Sequence, residues 1–276
     1  SFSGNTDAFL AVFGKDGTHN SHLYLGGNSN DRANAVECLP DGTIYIAGTT
    51  NSGGWSLLKG HQSSLNNSTS SSSQSDAFLI KVDAKFKNYW GTYYGGDLNE
   101  YGNGITTDRY NNVYLAGSTE SSSAIATKDT YQDSIKGGWD AFLIKFYPSG
   151  TRNWGTYFGG GSNDYGQNVT KGGAGDVFLV GRTSSNSNLI YRAYQSTNNG
   201  SVDAYFADFN YCDKFLAIKK DTSCAQGNFN ISLTLDSSKF IKNYTGKLNW
   251  NFSFPSSYVV KWSGPNSFSS TSQNVS

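Results

Sequence analysis

Apolar residues in this chain do not follow a short alternation; they recur in clusters with a long period. Asp76-Ala-Phe-Leu-Ile-Lys-Val82 returns as Asp140-Ala-Phe-Leu-Ile-Lys-Phe146, as Asp7-Ala-Phe-Leu-Ala-Val-Phe13 and, more loosely, as Asp203-Ala-Tyr-Phe-Ala-Asp-Phe209, at intervals of about 65 residues. Behind it run Tyr89-Trp-Gly-Thr-Tyr-Tyr-Gly-Gly96 and Asn153-Trp-Gly-Thr-Tyr-Phe-Gly-Gly160, with Ser21-His-Leu-Tyr-Leu-Gly-Gly27 as the worn copy. Then come Asn99-Glu-Tyr-Gly102 and Asn163-Asp-Tyr-Gly166, with Asn30-Asp31 in the first copy. A last apolar segment closes each unit: Thr43-Ile-Tyr-Ile-Ala-Gly48, Asn112-Val-Tyr-Leu-Ala-Gly117 and Asp176-Val-Phe-Leu-Val-Gly181. Such aromatic and β-branched segments separated by Gly, Asn, Asp and Ser predict four short strands per unit. Asp16-Gly17, Asp41-Gly42, Asn111-Asn112 and Gly175-Asp176 are the expected tight turns.

The strands are apolar on both faces. Phe78, Ile80 and Val82 share one side of a strand and Ala77 and Leu79 the other, a pattern that a sheet with one wet face does not need. Four-stranded sheets packed between neighbours on either side do need it, which predicts an all-β fold of β-propeller blades, each of four antiparallel strands. The units expected are 7–75, 76–139 and 140–202, followed by a strand at 203–209, all within a repeat domain 1–211. In the connections, Ser63–Ser73 is a polar run expected to be exposed, and the recurring Gln of His61-Gln62, Tyr131-Gln132 and Tyr194-Gln195 reads as an anchored turn beneath each loop.

Composition agrees with strands and narrows the partners. Of 276 residues 15% are aromatic and 15% charged, Gly numbers 32 and Met 0, so little helix is expected. Lys plus Arg equals Asp plus Glu at 21 each, without long charged blocks, which removes the usual footprint of nucleic-acid binding. No apolar run reaches the roughly 20 residues of a membrane helix, so no membrane insertion is expected. The chain starts with Ser inside a repeat and reads as a processed or excised piece.

The quoted segments resemble the bacterial seven-bladed β-propeller repeat family over residues 7–209, strongly in the second and third units and less in the first, where Ser21 stands for Trp90 and Trp154. The resemblance implies a large secreted or cell-surface protein and brings no catalytic motif. After 209 the period fails. Tyr258-Val-Val-Lys-Trp-Ser-Gly-Pro-Asn-Ser-Phe268 resembles the immunoglobulin-like modules of Bacteroidetes surface proteins, with Ser267 where Gly is usual. That implies a module at 212–276 that stops short of a sandwich of roughly 100 residues. It also implies a Bacteroidetes source and, for the structural alternative below, cargo of a secretion assembly such as type 9.

Candidate chemistry is sparse. His occurs only at 19, 22 and 61, and no nucleophile elbow, zinc pair, phosphate loop or dinucleotide fingerprint is present, so no enzyme is expected. Asp7, Asp76, Asp140 and Asp203 at strand starts are read as acceptors for backbone N–H groups of the incoming loops. Asn99, Glu100, Asn163 and Asp164 could offer hard oxygens to Ca²⁺, although calcium takes about six to eight and the spacing is not that of an EF-hand. Tyr101 and Tyr165 have two readings, exposed rings that stack on sugars or rings that cover a neighbouring sheet. Trp55 and Trp139, in or beside connections, are candidate rim contacts for a glycan or protein surface. Cys38 is expected to be a lone thiol, and Cys212 and Cys224 either close a short loop or, alternatively, Cys224 pairs beyond residue 276. Asp133-Ser134-Ile135 resembles the Bacteroidetes O-glycosylation signal, which marks Ser134.

Three functions remain in view: an extracellular binding or adhesion protein whose propeller presents loops, a structural block with no ligand of its own, or, least favoured, an enzyme whose active site sits in the propeller or in domains outside this segment. Three units and one strand fall short of the roughly four to eight blades of a ring. The expectation is therefore that further blades precede residue 1, further domains follow 276, and the piece alone associates with itself.

Overall fold

A computed structural model describes residues 4–55, 60–66, 74–173, 176–186 and 197–209, together with four short strands at 217–220, 231–234, 260–263 and 269–272. Regular structure among the described residues is all strand, and none contains a helix long and apolar enough to cross a membrane. The chain divides into two compact units, Ser1–Phe209 and Asn210–Ser276.

In the first unit β1 (Ala8–Phe13) and β2 (His19–Leu25) form a two-stranded sheet. Next, β3 (Asp31–Cys38), β4 (Thr43–Thr50), β5 (Asp76–Asp83) and β6 (Asn88–Tyr94) form a four-stranded sheet in chain order. A second four-stranded sheet holds β7 (Glu100–Thr107), β8 (Val113–Thr119), β9 (Asp140–Phe146) and β10 (Arg152–Phe158). A three-stranded sheet holds β11 (Asp164–Lys171), β12 (Val177–Thr183) and β13 (Asp203–Phe209). Pairing within all four is antiparallel.

The sheets therefore straddle the sequence units. Residues 76–139 supply β5 and β6 to one sheet and β7 and β8 to the next. The expected unit bounds are thus not the sheet bounds, and 203–209, expected as a closing strand, pairs with β12 along its whole length, from Asp203↔Thr183 to Phe209↔Val177.

The two-faced strands sort as their sequence implies. Phe78, Ile80 and Val82 enter one core with Ala8, Leu25 and Ile46, while Ala77 and Leu79 enter another with Leu115, Phe142 and Phe146. Ala141 and Leu143, on the other face of β9, join Val169, Val177 and Leu179 in a third core. Each fully buried Phe or Leu contributes about 1.5–3 kcal/mol, and both four-stranded sheets collect this on two faces. The outer sheets collect it on one. Phe9 and Phe13 on β1 and Phe206 on β13 remain exposed, with Phe206 stacked on Phe178 at 4.8 Å.

Close approach between sheets depends on glycine. A Cβ at Gly102 would lie 2.6 Å from the Gly48 carbonyl oxygen, and one at Gly166 would lie 2.4 Å from that of Gly117. Beside each close contact the first strand carries a bulge, at Asn34 in β3 and Asn103 in β7. Its side chain crosses to the next sheet: Asn34 Nδ2 donates to Gly102 O at 2.9 Å and Asn103 Nδ2 to Gly166 O at 2.8 Å. Asn103→Ala should leave that carbonyl without this donor and lower the unfolding free energy by about 1 kcal/mol, read from urea titration.

The turns follow the Gly and Asn signals. Gly17, Gly42 and Asn111 have φ of 83°, 87° and 60°, the left-handed region that Gly and Asn tolerate. The Gly175 half of the fourth expected turn lies outside the described residues. In the second unit β14 (Ala217–Lys220) pairs with β15 (Ile231–Thr234), and β16 (Val260–Ser263) pairs with β17 (Ser269–Ser272), both antiparallel.

Candidate functional site

The recurring acids are internal fasteners. Glu100, fully buried, accepts from Gly96 N at 2.8 Å and from the Thr119 hydroxyl, and the Ser121 hydroxyl bonds it as well. Asp31 repeats the arrangement with Gly27, Thr50 and Ser52, and Asp164 with Gly160 and Ser185. Each of these acids thus folds the Gly-Gly segment that precedes it back onto the start of its own strand.

The acids at the third strand of each sheet work with the loop glutamine. Gln62 Nε2 donates to Asp76 Oδ2 at 2.6 Å, its Oε1 accepts from Gly95 N at 3.0 Å, and Asn66 N reaches the same carboxylate at 3.1 Å. Gln132, Asp140 and Gly159 reproduce the first two distances, with Lys136 N and Gly137 N as the loop donors. Gln195 lies outside the described residues. These are the backbone-accepting roles read from the sequence.

Burial shifts these carboxyls strongly. Loss of solvent outweighs the Asn66 and Gln62 donors and raises Asp76 to about 6. It likewise raises Glu100 to about 7 against its Ser121, Thr119 and Gly96 donors. Asp140 moves upward for the same reason.

The four oxygen-bearing residues considered for Ca²⁺ are already engaged. Asn99 Oδ1 accepts from Ser75 N at 3.1 Å and its Nδ2 donates to Glu120, while Asn163 Oδ1 accepts from Trp139 N at 3.2 Å. Glu100 and Asp164 belong to different sheets, and among the described residues no group of three or more His, Cys, Asp or Glu side chains is placed to hold a metal ion.

Three of the four aromatic candidates come together. Tyr101 on β7 stacks on Trp139, just ahead of β9, at 5.2 Å and 9° between planes. Trp139 stacks in turn on Tyr165 of β11 at 5.7 Å and 30°, and the Arg182 guanidinium lies 4.3 Å over the Tyr165 ring. The row crosses from one sheet to the next and stays at the surface: Tyr101 is 40% exposed, Arg182 is exposed, and Trp139 and Tyr165 are half-buried. The rings stack across neighbouring sheets, as the second reading of the tyrosines expects, and they leave an aromatic ridge in solvent. Trp139→Ala removes two stacked pairs, each worth about 0.5–1.5 kcal/mol beyond area. It should lower the thermal midpoint while leaving the far-ultraviolet spectrum intact.

Trp55 is corrected. It is 6% exposed, packs at 5.1 Å on Phe78, and its backbone N–H donates to the buried Tyr93 hydroxyl at 3.1 Å, so its indole belongs to the core and not to the rim. Ser134 is exposed in the loop ahead of β9, its carbonyl taking a bond from Gln132 Nε2 at 2.9 Å. Cys38 is an exposed free thiol at the end of β3. Cys212 and Cys224 lie outside the described residues.

Sequence reasoning missed Arg182, which sits opposite Tyr165 in the β11–β12 register. Its signal was positional, one residue after the Gly181 that ends the apolar run of β12.

Comparison with known families places a match to the model described as Beta-propeller repeat on residues 90–123. The match spans the end of β6, the Gly-Gly link, β7 and β8, and so includes the Glu100 fastener and Tyr101. No curated protein matches the chain.

Proposed function

We propose that the chain is a non-enzymatic binding or adhesion segment of a larger extracellular or cell-surface bacterial protein. The propeller repeats present one rim to a glycan or protein surface, and the unit Asn210–Ser276 is an immunoglobulin-like spacer. The observation that carries this reading is the Tyr101–Trp139–Tyr165–Arg182 row, a solvent-facing aromatic ridge held by two sheets. Rigid aromatic rings with a cationic end are the surface chemistry that anchors both sugars and proteins. The recurring carboxylates, which a hydrolase would draw upon, instead accept from backbone amides, hydroxyls and glutamine side-chain amides.

The test is a glycan array and a panel of extracellular-matrix proteins probed with wild type and Tyr101→Ala. Retention by wild type that falls at least about tenfold in the variant supports the reading. Equal retention of both, or of neither, overturns it. A structural role without a ligand is favoured by a different observation, the exposed aromatic faces of the outer sheets at Phe9, Phe13 and Phe206. That role would show as concentration-dependent self-association, lost on replacing those three residues by serine.

A further inference from the structure

The first sheet brings two histidines together on its open face. On a regular strand residues three apart, such as His19 and His22, project from opposite faces. In β2 a bulge intervenes: Val12 pairs with Ser21 but Phe13 pairs with His19, so that His19 and Asn20 together oppose Phe13. The extra residue carries His19 onto the face of His22. Burial follows the slip, since Ser21 and Leu23 are half-buried and Leu25 is buried, while His19, His22 and Tyr24 are exposed.

The two imidazole rings stand 5.3 Å apart, centroid to centroid, with 32° between their planes. Phe13 meets His19 edge-on at 5.4 Å, and Tyr24 meets His22 edge-on at 5.8 Å. These neighbours fix where the rings sit without engaging their nitrogens. Among the described residues no hydrogen bond or ion pair is made by either imidazole. The register partner of His22 is the small Ala11, and among the described residues no strand pairs with the other edge of β2.

We propose that His19 and His22 form a surface site for Zn²⁺, with water completing the coordination. Imidazole nitrogen suits zinc, whereas Ca²⁺ and Mg²⁺ take oxygen. With Zn–N at about 2.0–2.1 Å the ion stands about 3.2 Å from each ring centroid. Two centroids 5.3 Å apart then subtend about 110° at the ion, close to the tetrahedral angle of zinc sites. The ring torsion of histidine is soft, so an exposed imidazole free of hydrogen bonds turns a nitrogen toward the ion at little cost. Two protein ligands are one fewer than catalytic zinc sites use, and among the described residues no group of three or more His, Cys, Asp or Glu is assembled. The site therefore binds the ion without activating it. His61, the third histidine, stacks on Tyr94 of β6 at 6.1 Å and is not part of the pair. The pair lies on β2 and the aromatic row on β7, β11 and β12 with Trp139, so the zinc site stands or falls independently of the binding role.

The full chain, with carbon-13-labelled histidine, is titrated with ZnCl₂ and separately with CaCl₂, and the imidazole resonances are followed by NMR. Signals lost in His19→Ala and in His22→Ala assign the pair and leave His61 by difference. The His19 and His22 signals should move together with a single midpoint in Zn²⁺, before that of His61, and neither should respond to Ca²⁺. In His22→Ala the His19 midpoint should rise by more than the roughly tenfold that even an outer partner of a metal ligand is worth. His19→Ala should do the same to His22. Both side chains are exposed, so the far-ultraviolet spectra should match wild type, and either variant decides the matter if the other does not fold. Separate midpoints for the two histidines in wild type, an unmoved midpoint in a folded variant, no response to Zn²⁺, or an equal response to Ca²⁺ overturns the site.

Discussion

Gly95→Ala will destabilise the repeat unit by about 3 kcal/mol or more, the range reached when a methyl group is forced into a packed, charged interior. A Cβ at Gly95 would stand 2.5 Å from Asp76 Cγ, Asp76 Oδ1 and Glu100 Oε2. Neither carboxylate can swing aside. Asp76 is tied to Gln62 and Asn66, and Glu100 to Gly96 and Thr119. The methyl must break one of these sets or separate the two strands that carry them. Gly161→Ala supplies the control, because nothing lies within 4 Å of a Cβ placed there. That substitution should change stability by less than about 0.5 kcal/mol, as surface changes away from such features usually do. Equal denaturation midpoints for the two variants would mean that the carboxylate pair is not held as described.

Strand content, period and the two-faced character of each strand were legible because they depend on residue type at short spacing. The phase of the sheets was not, because a repeat fixes a period without an origin. The long connection, 120–139, looked like the boundary between units, yet it joins β8 to β9 inside one sheet, and the boundary is the short segment 95–99. Distance explains how so short a link suffices. Crossing a four-stranded sheet from β6 to the next sheet's first strand means about three inter-strand steps, roughly 14 Å. Five extended residues reach roughly 17 Å. The Glu100 carboxylate then holds the Gly-Gly bend in place. A sequence reader could have found this in the invariable spacing from Gly-Gly to the acid, against the variable length of the other connection.

The site was legible by halves. Tyr101 and Tyr165 stood out by repetition and Trp139 by standing beside a connection, but only the fold shows that they share one row. Trp55 carried the same signal as Trp139 and went the other way, because Phe78 and Tyr93 offer it an interior seat. A tryptophan in a loop is equally suited to a rim and to a plug, and nothing local in the chain distinguishes the two.

Stability will also depend on pH in a direction unusual for a protein rich in bonded carboxylates. Asp76 and Glu100 stand at about 6 and about 7 in the folded chain, against ordinary values of 3.8 and 4.5, so folding takes up protons that the unfolded chain has released. Their contribution is complete below about pH 4 and is lost as pH rises through about 7. Asp140, also raised by burial, acts in the same direction. Asp108 is held low by Asn112, Tyr110 and Lys145 in spite of its partial burial, and Asp41 is held low by Thr43. Their contributions are present above the ordinary carboxylate value and vanish below it. The two groups of acids together place the maximum near pH 4 to 5 and not at neutrality. Urea midpoints measured at pH 4.5, 6 and 7.5 should therefore fall in that order. Glu100→Gln keeps the shape and an acceptor oxygen but cannot ionise, so its midpoint should vary less between pH 4.5 and 7.5 than that of wild type. A wild-type midpoint that rises with pH over this range, or a Glu100→Gln profile parallel to it, would show that burial of these two carboxyls does not govern the titration.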